Sequence, residues 1–430
     1  MRTRLSKLAE LFLSTSKAMM RASLIACGVA LLQTAVFAAD PIKIGFGIAL
    51  SGPLAGGGKS GLLAYQMWAE EVNARGGILG RPVQLIHYDD QSNPATVPAL
   101  YAKLLDFDKV DLVVSPYATN QVAAAMPVII PRGMLFFSLL ATAVNDNYKY
   151  DRYFQLNPNG PDAKDANSAG FFNAAMSMQP KPTTVALVGA DAEFSKNSLD
   201  GARKNAEKHG LKIVYDRTYP PNTVDFTPIV RGIQAAQPDV VYVASYPQDS
   251  VGMVRSVSEL NLQTRMFGGA MIGLQFAAIK AQLGPLLNGV VAYDLYLPEP
   301  TMKFPGIDKF LQGYQERAQK EGVDALGYLI PPYAYALMQM IEQSLKAVGS
   351  TNQKKLAEYA HKAEFDTIIG KLKFGPLGEW DKPRILFDQY QNIVGNDINQ
   401  FKQAGKQVIL DPPELKSGNL VYPFTKARGK

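Results

Sequence analysis

From Ile42 onward, short apolar runs alternate with stretches whose apolar residues recur at helical spacing, and this alternation restricts the fold more than any other feature. The first run, Ile42 to Leu50, leads through a glycine-rich turn at Gly56, Gly57 and Gly58 into a helix. Leu62, Tyr65, Trp68, Ala69 and Val72 share one side of that helix, and Gly76-Gly77 ends it. A second strand, Val83 to Tyr88, precedes Asn93-Pro94, which reads as an N-cap with proline at the first helical position, opening a helix to about Phe107. Further strands are expected at Leu112 to Ser115, Met134 to Ser138, Thr184 to Val188, Val240 to Ala244 and Met266 to Gly268. Such near-continuous apolar strands need cover on both faces, which is the condition of a parallel sheet between helix layers. The fold class is therefore α/β. Pro158-Asn159-Gly160-Pro161 interrupts the series and a fresh one starts after it, so a lobe boundary is expected there.

Ahead of this region, Arg2, Arg4, Lys7, Lys17 and Arg21 precede an apolar run from Ala22 to Phe37 that ends in small residues. The pattern is that of a secretory signal peptide, residues 1–39, with cleavage after Ala38 or Ala39 and a periplasmic mature chain. Translation from Met19 or Met20 would export the same product. Leu24-Ile25-Ala26-Cys27 has the look of a lipoprotein box, but five residues between Arg21 and Cys27 leave little apolar core before it. No later run is long enough to span a bilayer, so no stable membrane insertion of the mature chain is expected. Cys27 is the only cysteine and leaves with the leader, which excludes disulfides and cysteine catalysis. The formal charge of +6 includes a net four from the leader, leaving +2 with no basic cluster interleaved with aromatics, so nucleic acid is not an expected partner.

Motifs that would carry chemistry fail on inspection. Gly45-Phe46-Gly47 follows a strand, yet Leu50 holds the position of the third glycine of a dinucleotide site. Gly58-Lys59-Ser60 ends like a phosphate loop, but Pro53 stands where its first glycine belongs. The three glycines instead permit close backbone approach, with Ser60 capping the following helix. His87, His209 and His361 are isolated in sequence and fit packing or surface roles; Asp90 fits loop capping. Neither a cofactor nor a metal is expected. A triad assembled from distant segments stays open at this point, so an exported hydrolase is one alternative.

Ser51-Gly52-Pro53, the helix end Asn73-Ala74-Arg75-Gly76-Gly77-Ile78-Leu79-Gly80 and the strand end Asp89-Asp90 followed by Asn93-Pro94 together resemble the branched-chain amino-acid (Leu/Ile/Val) substrate-binding proteins of ABC importers. The resemblance implies a type I periplasmic-binding-protein fold, two lobes each with a parallel sheet flanked by helices, and three crossovers near Leu156, Leu297 and Asp381. It implies an N-terminal lobe of 40–156 plus 298–381 and a C-terminal lobe and tail of 157–297 plus 382–430. It also implies a small-molecule ligand between the lobes, with inner-membrane permease subunits and their cytoplasmic ATPase as partners. A ligand sensor of the same fold, of the amide-responsive kind, is the other reading of this resemblance.

By the same resemblance, Thr119 and Asn120 meet a ligand carboxylate, and Ser138, Ala141 and Thr142 form the next loop, whose alanine backbone and threonine hydroxyl touch the ligand head group; Phe194 and Tyr246 stand at aromatic positions of the family, and with Tyr117 and Met271 they would line an apolar pocket. A helix N-terminus suits an anion, although threonine after a strand also commonly caps a helix. Ala270 occupies the position where amino-acid binders of this family place a glutamate against the ligand ammonium. A buried ammonium without an acid costs several kcal/mol. The ligand is then expected to be a carboxylate or amide without an α-amino group, unless Asp191, Glu193 or Asp249 replaces the missing acid.

Overall fold

In the computed structural model, residues 40–429 are described; the proposed leader and Cys27 lie outside them. The alternation begins with β1 (Ile42–Ile48), α1 (Ala55–Ala74), β2 (Val83–Asp89), α2 (Val97–Asp106), β3 (Leu112–Tyr117), α3 (Thr119–Ile129), β4 (Phe136–Leu139), α4 (Asn145–Tyr148) and β5 (Tyr153–Gln155). These strands form one sheet in the order β2-β1-β3-β4-β5, parallel throughout. The series resumes with α5 (Ala163–Met176), β6 (Thr184–Ala190), α6 (Glu193–Lys208), β7 (Lys212–Tyr219), α7 (Thr227–Ala236), β8 (Val240–Ser245), α8 (Pro247–Glu259), β9 (Met266–Met271), α9 (Ala277–Leu283) and β10 (Val290–Asp294). Next come α10 (Ile307–Glu321), α11 (Ile330–Val348), α12 (Gln353–Ala360), the hairpin β11 (Glu364–Thr367) and β12 (Gly370–Lys373), β13 (Leu386–Tyr390) and β14 (Gln407–Asp411).

The second sheet runs β14-β13-β10-β9-β8-β6-β7. Five of its strands are parallel neighbours, but β13 and β14 are antiparallel. That mixed edge departs from the all-parallel expectation. β13 follows the β11–β12 hairpin and β14 returns beside it through a loop, and antiparallel neighbours need no helical crossover. The chain passes from the first sheet to the second after β5, leaves it after β10 for α10 to α12 and the separate β11–β12 hairpin, and rejoins it at β13. Between those passages α11 returns to pack on α1, where Trp68 Nε1 donates to Glu342 at 3.2 Å and Arg75 pairs with the same carboxylate at 3.0 Å.

Burial explains the strand composition. Ile42, Ile44, Phe46 and Ile48 of β1 and Val240 to Ala244 of β8 are fully enclosed, as expected for strands covered on both faces. The glycine trio differs from its reading as a turn. All three residues lie inside α1, and Ser60 is not a cap: its hydroxyl donates back to the Gly56 carbonyl within the helix. A Cβ on Gly58 would stand 1.9 Å from the Ala49 carbonyl oxygen, so the close approach is to the end of β1 itself. Asn93 also sits outside its helix, which starts at Val97 with Thr96 as N-cap; its side chain instead accepts from Ala95 N at 3.0 Å and shapes the preceding turn.

Candidate functional site

Parallel strands present their C-terminal ends along one edge, where successive loops converge. Tyr117 ends β3, Ala118 follows at φ 81°, and Thr119 opens α3. After β4 come Leu140, itself at positive φ, and Thr142, followed by a second positive-φ residue at Ala143. The second sheet contributes Phe194 from the first turn of α6, Tyr246 as the N-cap of α8, Ile272 and Gln275 from the short 3-10 turn after β9, and Tyr293 and Leu295 from β10 and its exit. With Asn157 and Leu329, these side chains line a cavity shared by both sheets. The space open to the centre of a water molecule is about 40 Å³, enough for about three waters at ~10–15 Å³ each.

Hydrogen bonds across the cavity leave a defined residual capacity. Thr119 Oγ1 accepts from the Thr142 N–H at 3.2 Å. Thr142 Oγ1 accepts from Asn157 Nδ2 and from Asn167 Nδ2, both at 3.3 Å. A hydroxyl has one proton and two lone pairs, so Thr142 has its acceptor sites filled and both threonines keep a proton to donate. The opening N–H groups of α3 add donors without intrahelical partners, in a positive helix-end field. Tyr246 donates to Asn120 Oδ1 at 3.3 Å, Tyr293 to Asn157 Oδ1 at 3.3 Å, and Asn197 Nδ2 to the Thr142 carbonyl at 3.3 Å. Burial raises the phenols of Tyr117, Tyr246 and Tyr293 well above their usual range, so all three are neutral. Phe194 meets Tyr246 edge to face, with centroids 5.9 Å apart. The arrangement offers donors to an anion at one end and an apolar, uncharged enclosure at the other.

Five of the residues named from sequence, Tyr117, Thr119, Thr142, Phe194 and Tyr246, stand together on the cavity wall. Asn120 lies just behind it, bonded to Tyr246. The other four face elsewhere: Ser138, Ala141, Ala270 and Met271 are fully buried and none lines the cavity. Ala270 pairs with Ala244 inside the second sheet, and β9 runs on to Met271, so its first wall residue is Ile272. The substitute acids are also engaged or distant. Asp191 pairs with Lys196 at 2.5 Å, Asp249 accepts from Tyr219 OH at 2.9 Å and from Tyr246 N at 3.2 Å, and Glu193 does not line the cavity. No acidic side chain stands among the lining residues. Leu140, Asn157, Ile272, Gln275, Tyr293, Leu295 and Leu329 were not evident from sequence, because crossovers and a 3-10 turn deliver most of them.

A wider depression of about 520 Å³ lies outside the cavity, lined by Gly52, Pro53, Lys59, Pro247, Phe276 and Asp324 among others. It is larger but gathers no comparable set of polar groups. The histidines are apart from both. His87 stacks on Phe46, His209 stacks on Phe172, and a ring nitrogen of His361 lies 2.7 Å from the Asp151 carbonyl. Among the described residues no cluster of acids, histidines or cysteines suited to a metal ion occurs, and no helix is long and apolar enough to cross a membrane.

Comparison with known proteins adds a family. A family model described as "Periplasmic binding protein" matches residues 41–379. The leucine-, isoleucine-, valine-, threonine- and alanine-binding protein of Pseudomonas aeruginosa is 24% identical over 343 residues, covering 80% of this chain and 88% of the relative. Among solved structures, the isoleucine-bound branched-chain amino-acid transporter substrate-binding protein of Streptococcus pneumoniae superposes with a TM-score of 0.71 at 19% identity, covering 89% of this chain and all of that one. A benzoate-bound ABC-transporter solute-binding protein of R. palustris gives 0.71 at 16% identity, over 86% and 95%. All three are described as binding proteins rather than enzymes, and the two structures establish the two-lobed type I architecture.

Proposed function

Since the chain belongs to the periplasmic binding protein family, we propose that it is the extracytoplasmic solute-binding subunit of an ABC importer, taking a small carboxylate without an α-ammonium group. On this reading the leader exports it to the periplasm, where it hands its ligand to inner-membrane permease subunits driven by a cytoplasmic ATPase. Residues 40–156 with 298–381 act as one lobe, and 157–297 with 382–430 as the other. The ligand binds between them, because only a ligand in contact with both lobes favours their closure.

One observation carries the ligand assignment: the wall combines two threonine protons free to donate with no acid to receive an ammonium. Thr119, Thr142 and the α3 N-terminus hold the carboxylate, while Tyr117, Phe194 and Tyr246 enclose the remainder. Asn120 and Asn157 orient Tyr246 and Tyr293 through the bonds described above. The Pseudomonas relative is named for amino acids and the R. palustris neighbour holds benzoate; the wall chemistry favours the second kind. A thermal-shift panel tests this. Aromatic and aliphatic carboxylates should raise the melting temperature more than leucine, isoleucine or valine, and the reverse ranking overturns the assignment.

A further inference from the structure

Gln275 is the one cavity-lining side chain whose amide is half used. It is 3% exposed and ends the short turn Ile272–Gln275. Its Nε2 donates to the Tyr293 carbonyl at 2.5 Å, and since only the nitrogen can donate to a carbonyl, the amide orientation is fixed. Among the described residues no group donates to its Oε1. The turn cannot readily swing away. Tyr390 OH donates to the Leu274 carbonyl at 2.5 Å, and the Gly273 N–H donates to Ser250 Oγ at 3.3 Å. A Cβ on Gly273 would lie 2.6 Å from the Pro247 carbonyl, so the backbone is closely seated on α8. The outcome is a buried, rigidly held and unpartnered acceptor on a wall residue supplied by the second lobe, whereas the threonine donors belong to the first.

We propose that Gln275 Oε1 is a specificity-determining acceptor that reads a neutral hydrogen-bond donor, a hydroxyl, on the part of the ligand remote from its carboxylate. The inference rests on the carboxylate reading above and deepens it. An ammonium suits the position poorly, because one neutral acceptor supplies no counter-charge and no acid lines the cavity. A bare apolar ring leaves the amide oxygen buried and unpaired, which a site built around a hydrogen bond disfavours strongly. Because the acceptor and the threonines sit on opposite lobes, a hydroxylated carboxylate engages both at once and so favours closure.

Isothermal titration of the purified protein with benzoate, 3- and 4-hydroxybenzoate, 4-fluorobenzoate and leucine tests the idea, on wild type and on Gln275→Met. The better hydroxybenzoate should bind wild type about tenfold or more tighter than benzoate and 4-fluorobenzoate, fluorine matching the size of a hydroxyl without its proton. In Gln275→Met that gap should close while benzoate affinity is kept. Equal binding of hydroxylated and bare ligands by wild type overturns the inference alone, as does a gap that survives in Gln275→Met or a parallel loss for every ligand. Binding of none of the benzoates overturns the carboxylate reading and this inference with it. Leucine binding that depends on Gln275 overturns the neutrality of the donor. Should Gln275→Met fail to fold, the wild-type comparison of 4-hydroxybenzoate with 4-fluorobenzoate decides.

Discussion

Thr142→Val removes a hydroxyl while nearly conserving volume, and the structure separates its two consequences. The first is on binding. If the Thr142 proton goes to a ligand carboxylate, its loss removes a hydrogen bond to a charged group, worth roughly 1.5–3 kcal/mol, or about 10- to 100-fold in affinity. The second is on stability. Thr142 Oγ1 is the acceptor for Asn157 Nδ2 and Asn167 Nδ2, and Asn167 Nδ2 alone has a second acceptor, Ser198 Oγ at 3.2 Å. One buried amide proton is thus left unpaired, at about 1–3 kcal/mol. Thr142→Ser keeps the hydroxyl and should restore both properties in large part. Calorimetry with benzoate as the probe reads the first effect, and urea unfolding of the same preparations reads the second. Thr119→Val should show a similar loss of affinity, since its hydroxyl accepts the Thr142 N–H and keeps its own proton for the ligand. Unchanged benzoate affinity in both valine variants, with stability lowered as described, would refute ligand contact and leave the threonines as structural residues.

Gly58→Ala should lower stability by at least about 1–3 kcal/mol, the usual cost of overpacking, because the new Cβ meets the Ala49 backbone carbonyl rather than a movable side chain; urea unfolding checks it. Ala270→Glu should cost stability without improving amino-acid binding, since the position is fully enclosed in the second sheet; the expectation from sequence was a shift toward amino acids, and a melt paired with leucine titration distinguishes the two. A pH effect should arise in the buried group of Lys280, Asp294, Asp388 and Gln407, where Gln407 Nε2 donates to both carboxylates at 3.1 and 3.0 Å and its Oε1 accepts from Lys280 at 2.5 Å. Burial lifts Asp294 from 3.8 to about 6, so between those values the folded chain holds a proton that the unfolded chain has released. Unfolding free energy should therefore fall as pH rises through this range. Asp294→Asn should flatten that slope, and urea midpoints at pH 4.5 and 6.5 that slope as steeply in the variant would contradict it. Asp90, pushed up to about 6 by burial, and Asp388, pushed well up by burial and then by the neighbouring Asp294, act in the same direction and remain in the variant, so the slope should shrink rather than vanish.

Much of the fold is legible because parallel strands enclosed on both faces must be apolar nearly throughout, which is how β1, β3, β6 and β8 read. β7 was not legible. Lys212–Tyr219 is an edge strand, half exposed, with Lys212, Asp216 and Arg217 within it. β13 pairs with β10 across about a hundred residues of chain, a distance that local periodicity does not register, and β14 joins the sheet only through β13. The glycine trio was misread because glycine disfavours helices on propensity alone; packing of α1 against Ala49, Tyr117 and Ile330 overrides that preference. The site divides along the same line. Tyr117, Thr119, Thr142, Phe194 and Tyr246 follow strands directly, so strand and turn signals locate them. Asn157, Gln275 and Tyr293 reach the wall only through the first crossover, a 3-10 turn and the strand pairing of the second sheet, and Ala270 falls short of the wall because β9 continues past it.

Calorimetric titration of ligand-free protein with benzoate and with leucine under identical conditions tests most directly whether the cavity takes a carboxylate without an α-ammonium group. Saturable benzoate-class binding is expected, with leucine at least about tenfold weaker, since an unpaired buried ammonium carries a desolvation cost that an uncharged ring does not. Leucine binding at about micromolar affinity or tighter, with no heat from benzoate, would contradict it.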